Sequence, residues 1–236
     1  MTNSRPDRTQ PEQSPLLKTN TGDYPLHEFH LALDGREWTI LHTGVVLTHE
    51  DESQYLRETR TRLPYGVALW PAAIALAQEL ASRGSEAFAG KTALELGAGT
   101  GLPGIVAASL GAHVVQTDNQ ELALSICRRN SEKNNLSTVE HRLVDWTDWQ
   151  DTTRYDWILG SDIMYGDTLH SDLQHIFATN LAPGGRVLLS DPFRSVSMHL
   201  LEALRDEDGW SITATKWKLG DDADPRAIGV FELSRE

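Results

Sequence analysis

A chain of 236 residues with 39% hydrophobic side chains is long enough to bury one sizeable core. Its 34 acidic against 21 basic residues leave a formal charge of −13, which opposes a nucleic-acid phosphate backbone and suits a basic partner. A single cysteine, Cys127, excludes an internal disulfide and a cysteine-based metal cluster.

In chain order, MTNSRPDRTQPEQSPLLKTN is polar and broken by proline, with no apolar run of signal-peptide length. We expect a flexible tail over 1–22 and a single domain over 23–236, in a cytoplasmic, monomeric protein without a membrane span. HEFHLALDGREWTILHT then reads as two strands joined at Asp34-Gly35, a short hairpin signal. In LWPAAIALAQELASRG, Trp70, Ile74, Ala77 and Ala81, and beside them Leu69, Ala73, Leu76 and Leu80, recur at helical spacing. Pro71 suits the first turn of that helix and Gly84 its end. A strand to Leu96, a glycine-rich loop, a short helix through GIVAASL, the strand HVVQT and a helix from Glu121 to about Asn130 follow. This βαβ alternation requires a parallel sheet.

HRLVDW and DWILGS are the next strands, and LHSDLQHIFATNL places Leu169, Leu173, Ile176, Phe177 and Leu181 on one helical face. Pro183-Gly-Gly185 turns the chain into the strand RVLLS, and a helix around Met198 to Leu204 comes next. The segments WSITATKWK and AIGVFEL, joined by the turn-rich LGDDADPR, should pair antiparallel. His27 and His30 are three apart on a strand and face opposite ways, and His170 and His175 are poorly spaced on a helix, so no metal site is expected.

The loop in ALELGAGTGLPG supports two readings. Gly99-Thr-Gly101-Leu-Pro-Gly104 is the G-x-G-x-x-G of a dinucleotide site, whose backbone N–H groups approach a pyrophosphate. Read from Glu95 through Gly97, Gly99 and Gly101, it is the loop of methyltransferases that use S-adenosylmethionine. Asp118, ending HVVQTD, can accept both ribose hydroxyls in either case. Glu95 separates them: it sits near the end of an otherwise apolar strand, where a charge needs a donor. The ammonium of an amino-acid moiety is such a donor, whereas a pyrophosphate would be repelled. Asp145 in LVDW can accept from an adenine amino group, and no Lys or Arg between Glu95 and Asp118 is available to meet phosphates.

From Trp70 to about Arg194 the chain resembles the class I, seven-strand S-adenosylmethionine methyltransferases, with LELGAGTG, QTDNQE, LVDW and LGSDIMY in family order. YGVALWPAAIALAQEL before the loop and Asp162-Ile-Met-Tyr165 after the fourth strand resemble the methyltransferase-like protein-lysine methyltransferases. The similarity is to the branch that modifies the electron-transfer flavoprotein β-subunit and its bacterial relatives. It implies a doubly wound, mostly parallel seven-stranded α/β sheet, Rossmann-like, with an antiparallel C-terminal hairpin, to which Asp34-Gly35 adds a small N-terminal β-hairpin. It also implies that Glu95, Gly97, Gly99 and Gly101 surround the methionine and ribose, and that Asp118 with Asn119 binds the ribose. Asp145 and Trp146 would border the adenine, Trp70 would wall the cofactor, and Ser161, Asp162 and Tyr165 would line the transfer site. Ser161 departs from the small apolar residues common there.

The implied activity is methyl transfer to an amine, first a protein lysine and second a small molecule, with no nucleic-acid or membrane partner. A nicotinamide-dependent oxidoreductase is the other class, which Glu95 disfavours. A lysine must shed its proton before transfer, at about 4.6 kcal/mol at pH 7, and a carboxylate beside it works against that loss. Asp162 is therefore expected to bind and aim the amine, with Tyr165 and Trp70 as aromatic walls, unless it caps a helix beginning near Thr168. In SDPFR after the fifth strand, Asp191 or Arg194 is expected to shape the substrate mouth or to form a local ion pair.

Overall fold

Alternating apolar runs and helical stripes assemble into one central sheet. The computed structural model describes residues 15–19, 22–44, 65–206, 209–220 and 225–235. After β1 (Leu16–Thr19), β2 (Gly22–Pro25), β3 (His27–Leu33) and β4 (Arg36–His42) come α1 (Pro71–Phe88), β5 (Thr92–Leu96), α2 (Leu102–Ser109), β6 (His113–Asp118) and α3 (Glu121–Lys133). The second half contains β7 (Glu140–Leu143), β8 (Tyr155–Ser161), α4 (His170–Asn180), β9 (Leu181–Asp191), α5 (Ser195–Asp206), β10 (Ser211–Leu219) and β11 (Arg226–Ser234).

The seven-stranded sheet has the order β10-β11-β9-β8-β5-β6-β7. Strands β5 to β9 pair parallel, while β11 pairs antiparallel with both β9 and β10, giving the C-terminal hairpin. Successive side chains leave opposite faces of each strand. Leu159, Leu188 and Val230 join the core under α1 and α2. Their neighbours Ile158, Leu189 and Phe231 join the core under α4 and α5. Burial on both faces is why these strands read as continuous apolar runs rather than alternating ones. The strand order reverses between β5 and β8, so a crevice opens at their carboxyl ends, where open α/β sheets bind ligands.

The small N-terminal hairpin forms as expected. Asp34 and Gly35 lie at φ 51° and 75°, the two left-handed residues that a tight hairpin turn requires, and β3 pairs antiparallel with β4. Of the segment 1–22 expected to be flexible, residues 15–19 and 22 are described. There β1 pairs with β2, and Leu17 buries with the following Leu26 against Leu41, Val67 and Ile126. Other boundaries shift for local reasons. Helical backbone resumes after a break at Gly84 (φ 69°, ψ −178°), α3 runs on to Lys133, and β9 begins at Leu181, ahead of the expected Pro-Gly-Gly turn. Strand β7 stops at Leu143, before Asp145. Among the described residues no helix is long and apolar enough to cross a membrane.

Candidate active site

The glycine loop follows β5 directly. Gly97, Gly99 and Gly101 all have positive φ (61°, 56° and 81°), which lets the chain fold back over the sheet end. Its carbonyls are tied down from behind. Cys127 Sγ donates to the Gly99 carbonyl (3.1 Å), Asn130 Nδ2 to that of Thr100 (2.8 Å) and Gln116 Nε2 to that of Gly101 (2.9 Å). On the other side the Gly99 N–H donates to Asp118 Oδ2 (3.0 Å), whose Oδ1 accepts from the Gln120 N–H (2.9 Å). Burial raises the Asp118 pKa, and the backbone donors from Gly99 and Gln120 pull it back.

Two of the expected residues, Glu95 and Gly101, do not line the cavity that the others share. The Glu95 carboxyl lies behind the loop, where Oε2 accepts from Gln116 Nε2 (2.6 Å) and the Gly104 N–H (3.2 Å). Both donors to Oε2 are thus protein groups, while Oε1 is buried without a hydrogen-bond partner among the described residues. Burial pushes its pKa up to about 8; those two hydrogen bonds pull it back, and the charge of Asp118 adds to the rise. A Cβ at Gly104 would sit 2.4 Å from Glu95 Oε2, so the third glycine of the dinucleotide-like spelling makes room for this carboxyl. Gly101 is buried at the start of α2, where a Cβ would come within 2.8 Å of Gln116 Nε2.

The other ten expected residues line one cavity of about 530 Å³. Gly97, Gly99, Asp118 and Asn119 form its floor at the ends of β5 and β6. A Cβ at Gly97 would lie 3.3 Å from Trp146 Cζ2, which places that ring against the loop. Asp145 caps the short 3-10 turn that carries Trp146, accepting from Thr147 N (3.0 Å) and Oγ1 (2.8 Å), and these hydrogen bonds lower its pKa. Trp70 enters the wall from the residue before α1. Ser161, Asp162 and Tyr165 form the far end, just past β8. Gly66, Thr100, Gln120 and Ile163 also line the space and carry no sequence signal of their own.

At that far end Asp162 has φ 57°, with its N–H donating to the Ser190 carbonyl (2.9 Å). It does not cap a helix: the 3-10 turn Asp167–Leu169 begins at Gly166 without a side-chain cap. Instead Arg194 Nη1 and Nη2 reach Asp162 Oδ1 and Oδ2. Arg194 also bonds Asp191, which is fully buried and accepts from Ser197 Oγ (2.7 Å). Of the two alternatives for SDPFR the local ion pair forms, and Arg194 also lines the cavity.

A family description, lysine methyltransferase, matches residues 49–199, which include the glycine loop, Asp118, Asp145 and Asp162 to Tyr165. This chain belongs to the lysine methyltransferase family. Mouse histone-arginine methyltransferase METTL23 is 40% identical to this family member over 121 residues, 49% of this chain and 46% of that protein. Xenopus tropicalis protein N-lysine methyltransferase METTL21A is 35% identical over 144 residues, 59% of this chain and 66% of that protein. The chain thus spans about half to two thirds of the length of these curated relatives. Among solved structures, T. thermophilus 16S rRNA N2 G1207 methyltransferase with AdoMet and guanosine has a TM-score of 0.58 at 21% identity, over 89% of this chain and 51% of that one. The N-methyltransferase NodS from Bradyrhizobium japonicum, with S-adenosyl-L-homocysteine, has 0.56 at 16%, over 76% and 96%. At such identities the likeness is one of fold, and it places this lysine methyltransferase family member on the class I sheet.

Proposed function

We propose that the chain transfers a methyl group from S-adenosylmethionine to the lysine side chain of a protein. The charge of the cavity carries the reading. Among the described residues its lining holds three carboxylates, Asp118, Asp145 and Asp162, and one cation, Arg194, which is committed to Asp162 and Asp191. Such a lining suits a ligand bearing a sulfonium and an ammonium and repels a pyrophosphate. The first turn of α2, where a dinucleotide phosphate would sit, already has its Gly104 N–H bonded to Glu95. The volume of about 530 Å³ is that of a small-molecule site.

Gly97, Gly99 and Trp146 would hold the donor, with Asp118 and Asn119 at its ribose, Asp145 at its adenine and Trp70 along its side. When bound, the donor supplies the methyl group: the nitrogen lone pair forms the N–C bond, the C–S electron pair returns to sulfur, and the methylated ammonium releases a proton. Asp162 accepts hydrogen bonds from the arriving amine and aims it, while Tyr165, 60% exposed, stands at the mouth. The family description supports lysine as the acceptor. The METTL23 relative keeps arginine as the second reading.

Asp162→Asn separates binding from transfer. We expect S-adenosylmethionine affinity within about threefold of the parent and methyl transfer reduced by about 10², measured by calorimetry beside labelled transfer at saturating donor. Normal transfer in the folded variant would remove Asp162 from the reaction.

A further inference from the structure

We propose that Arg194 is a positioning residue of the transfer site: it fixes the Asp162 carboxylate and offsets its charge, so that an amine arriving there can shed its proton. The inference rests on reading the site as one for protein-lysine methylation.

A lone carboxylate facing an ammonium stabilises the charged form, whereas transfer needs a lone pair on nitrogen. The cavity resolves this conflict by supplying a second charge. Arg194 spans Asp162 and Asp191, with side-chain exposures of 28% for Arg194, 11% for Asp162 and 0% for Asp191. Its place is built on both sides of the pair. The Arg194 N–H donates to Asp191 Oδ1 (2.7 Å), Nη1 donates to Asp191 Oδ2 (3.0 Å), and Ser197 Oγ holds that same Oδ2 (2.7 Å). Asp162 at φ 57° and Phe193 at φ 63° both adopt left-handed backbone, and an aromatic residue there is rare enough to mark a position held by its surroundings. Burial works against the guanidinium charge, but the bonds to Asp162 and Asp191 hold its pKa above the ordinary range, so it stays charged across any assay.

Other titratable groups stand on the elements around the pair. Tyr165 is on the same loop as Asp162, Asp167 on the 3-10 turn before α4, His170 at the start of α4 and His199 on α5; Lys216 on β10 lies over the Phe193 ring, and Asp118 and Asp145 line the same cavity. All of them persist when Arg194 is replaced, so a change in pH response reports on Arg194 itself.

The test uses the full chain, labelled S-adenosylmethionine at saturation and total soluble cell protein as acceptor, from pH 6.5 to 9.5. For Arg194→Gln the alkaline rise of the transfer rate should move up by about one pH unit or more. Transfer should fall about tenfold or more at pH 7 and recover towards the parent at high pH. S-adenosylhomocysteine affinity, read by calorimetry, should stay within threefold. Arg194→Lys, which keeps the charge, should follow the parent profile, and Arg194→Met repeats the neutral test if the glutamine variant does not fold. A neutral variant whose pH profile superimposes on the parent, a loss equal at every pH, or an Arg194→Lys profile displaced like that of the neutral variant would overturn the inference while leaving the lysine reading intact. No transfer by the parent at any pH would remove that reading and this inference with it.

Discussion

Burial leaves the Glu95 carboxyl with two donors, Gln116 Nε2 and the Gly104 N–H, and raises its pKa from 4.5 to about 8. The unfolded chain gives up this proton near 4.5 and the folded chain near 8, so the stabilisation is complete below the first value and is lost as pH rises through the second. His42 acts in the opposite sense. Burial, with the charge of His27 adding to it, lowers its pKa from 6.5 to about 4, and the stability linked to it is lost as pH falls through that window. Glu95→Gln keeps the shape and both accepted hydrogen bonds. Urea unfolding at several pH values between 6.5 and 8 should show the parent losing about 1.5 kcal/mol that the variant retains; parallel slopes would contradict a neutral Glu95. Asp118, Trp146 and Asp162 were legible because strand ends deliver them to one rim. The inward turn of Glu95 was not, because it depends on the β5–β6 register that sets Glu95 beside Gln116.

The N-terminal hairpin shows how one element reaches the site without touching it. The outer edge of β4 presents unpaired backbone groups, and α3 satisfies them with asparagine amides one helical turn apart. Asn130 accepts from the Leu41 N–H (2.7 Å) and donates to its carbonyl (3.0 Å), and Asn134 does the same at Thr39 (3.0 and 2.7 Å). The second Asn130 N–H holds Thr100 of the glycine loop (2.8 Å), so hairpin, helix and loop share one buried side chain. Asn130→Ala would leave three backbone groups without this partner and should cost about 2–4 kcal/mol of stability in urea unfolding. A loss below about 1 kcal/mol would mean that water replaces the amide. The hairpin itself was legible from Asp34-Gly35, whose turn chemistry is local. Its docking was not, because Asn130 and Asn134 read as ordinary polar residues near a helix end until β4 is placed beside them. Four-residue strands such as β1 carry too short a pattern to stand out, and Leu17 shows its role only through Leu26, Leu41 and Ile126.

At the scale of the molecule, the parallel sheet brings the ends of β5, β6 and β8 to one crevice, and residues between positions 66 and 194 meet there. Strand and helix alternation made this architecture legible in advance, since parallel strands need crossovers and crossovers place the loops on one edge. The pairing of Arg194 with Asp162 lay beyond reach, because it joins loops 32 residues apart that only strand adjacency brings together. The net charge of −13 extends the acidic character of the cavity over the whole chain, a field that would favour a basic partner. The most direct measurement incubates the full chain with S-adenosylmethionine labelled in its methyl group and total soluble cell protein, followed by acid hydrolysis and amino-acid separation. The label should be recovered as methyllysine, and Asp162→Asn should lower the yield by about 10². Label recovered as methylarginine, confined to small molecules, or absent despite tight donor binding would contradict transfer to protein lysine.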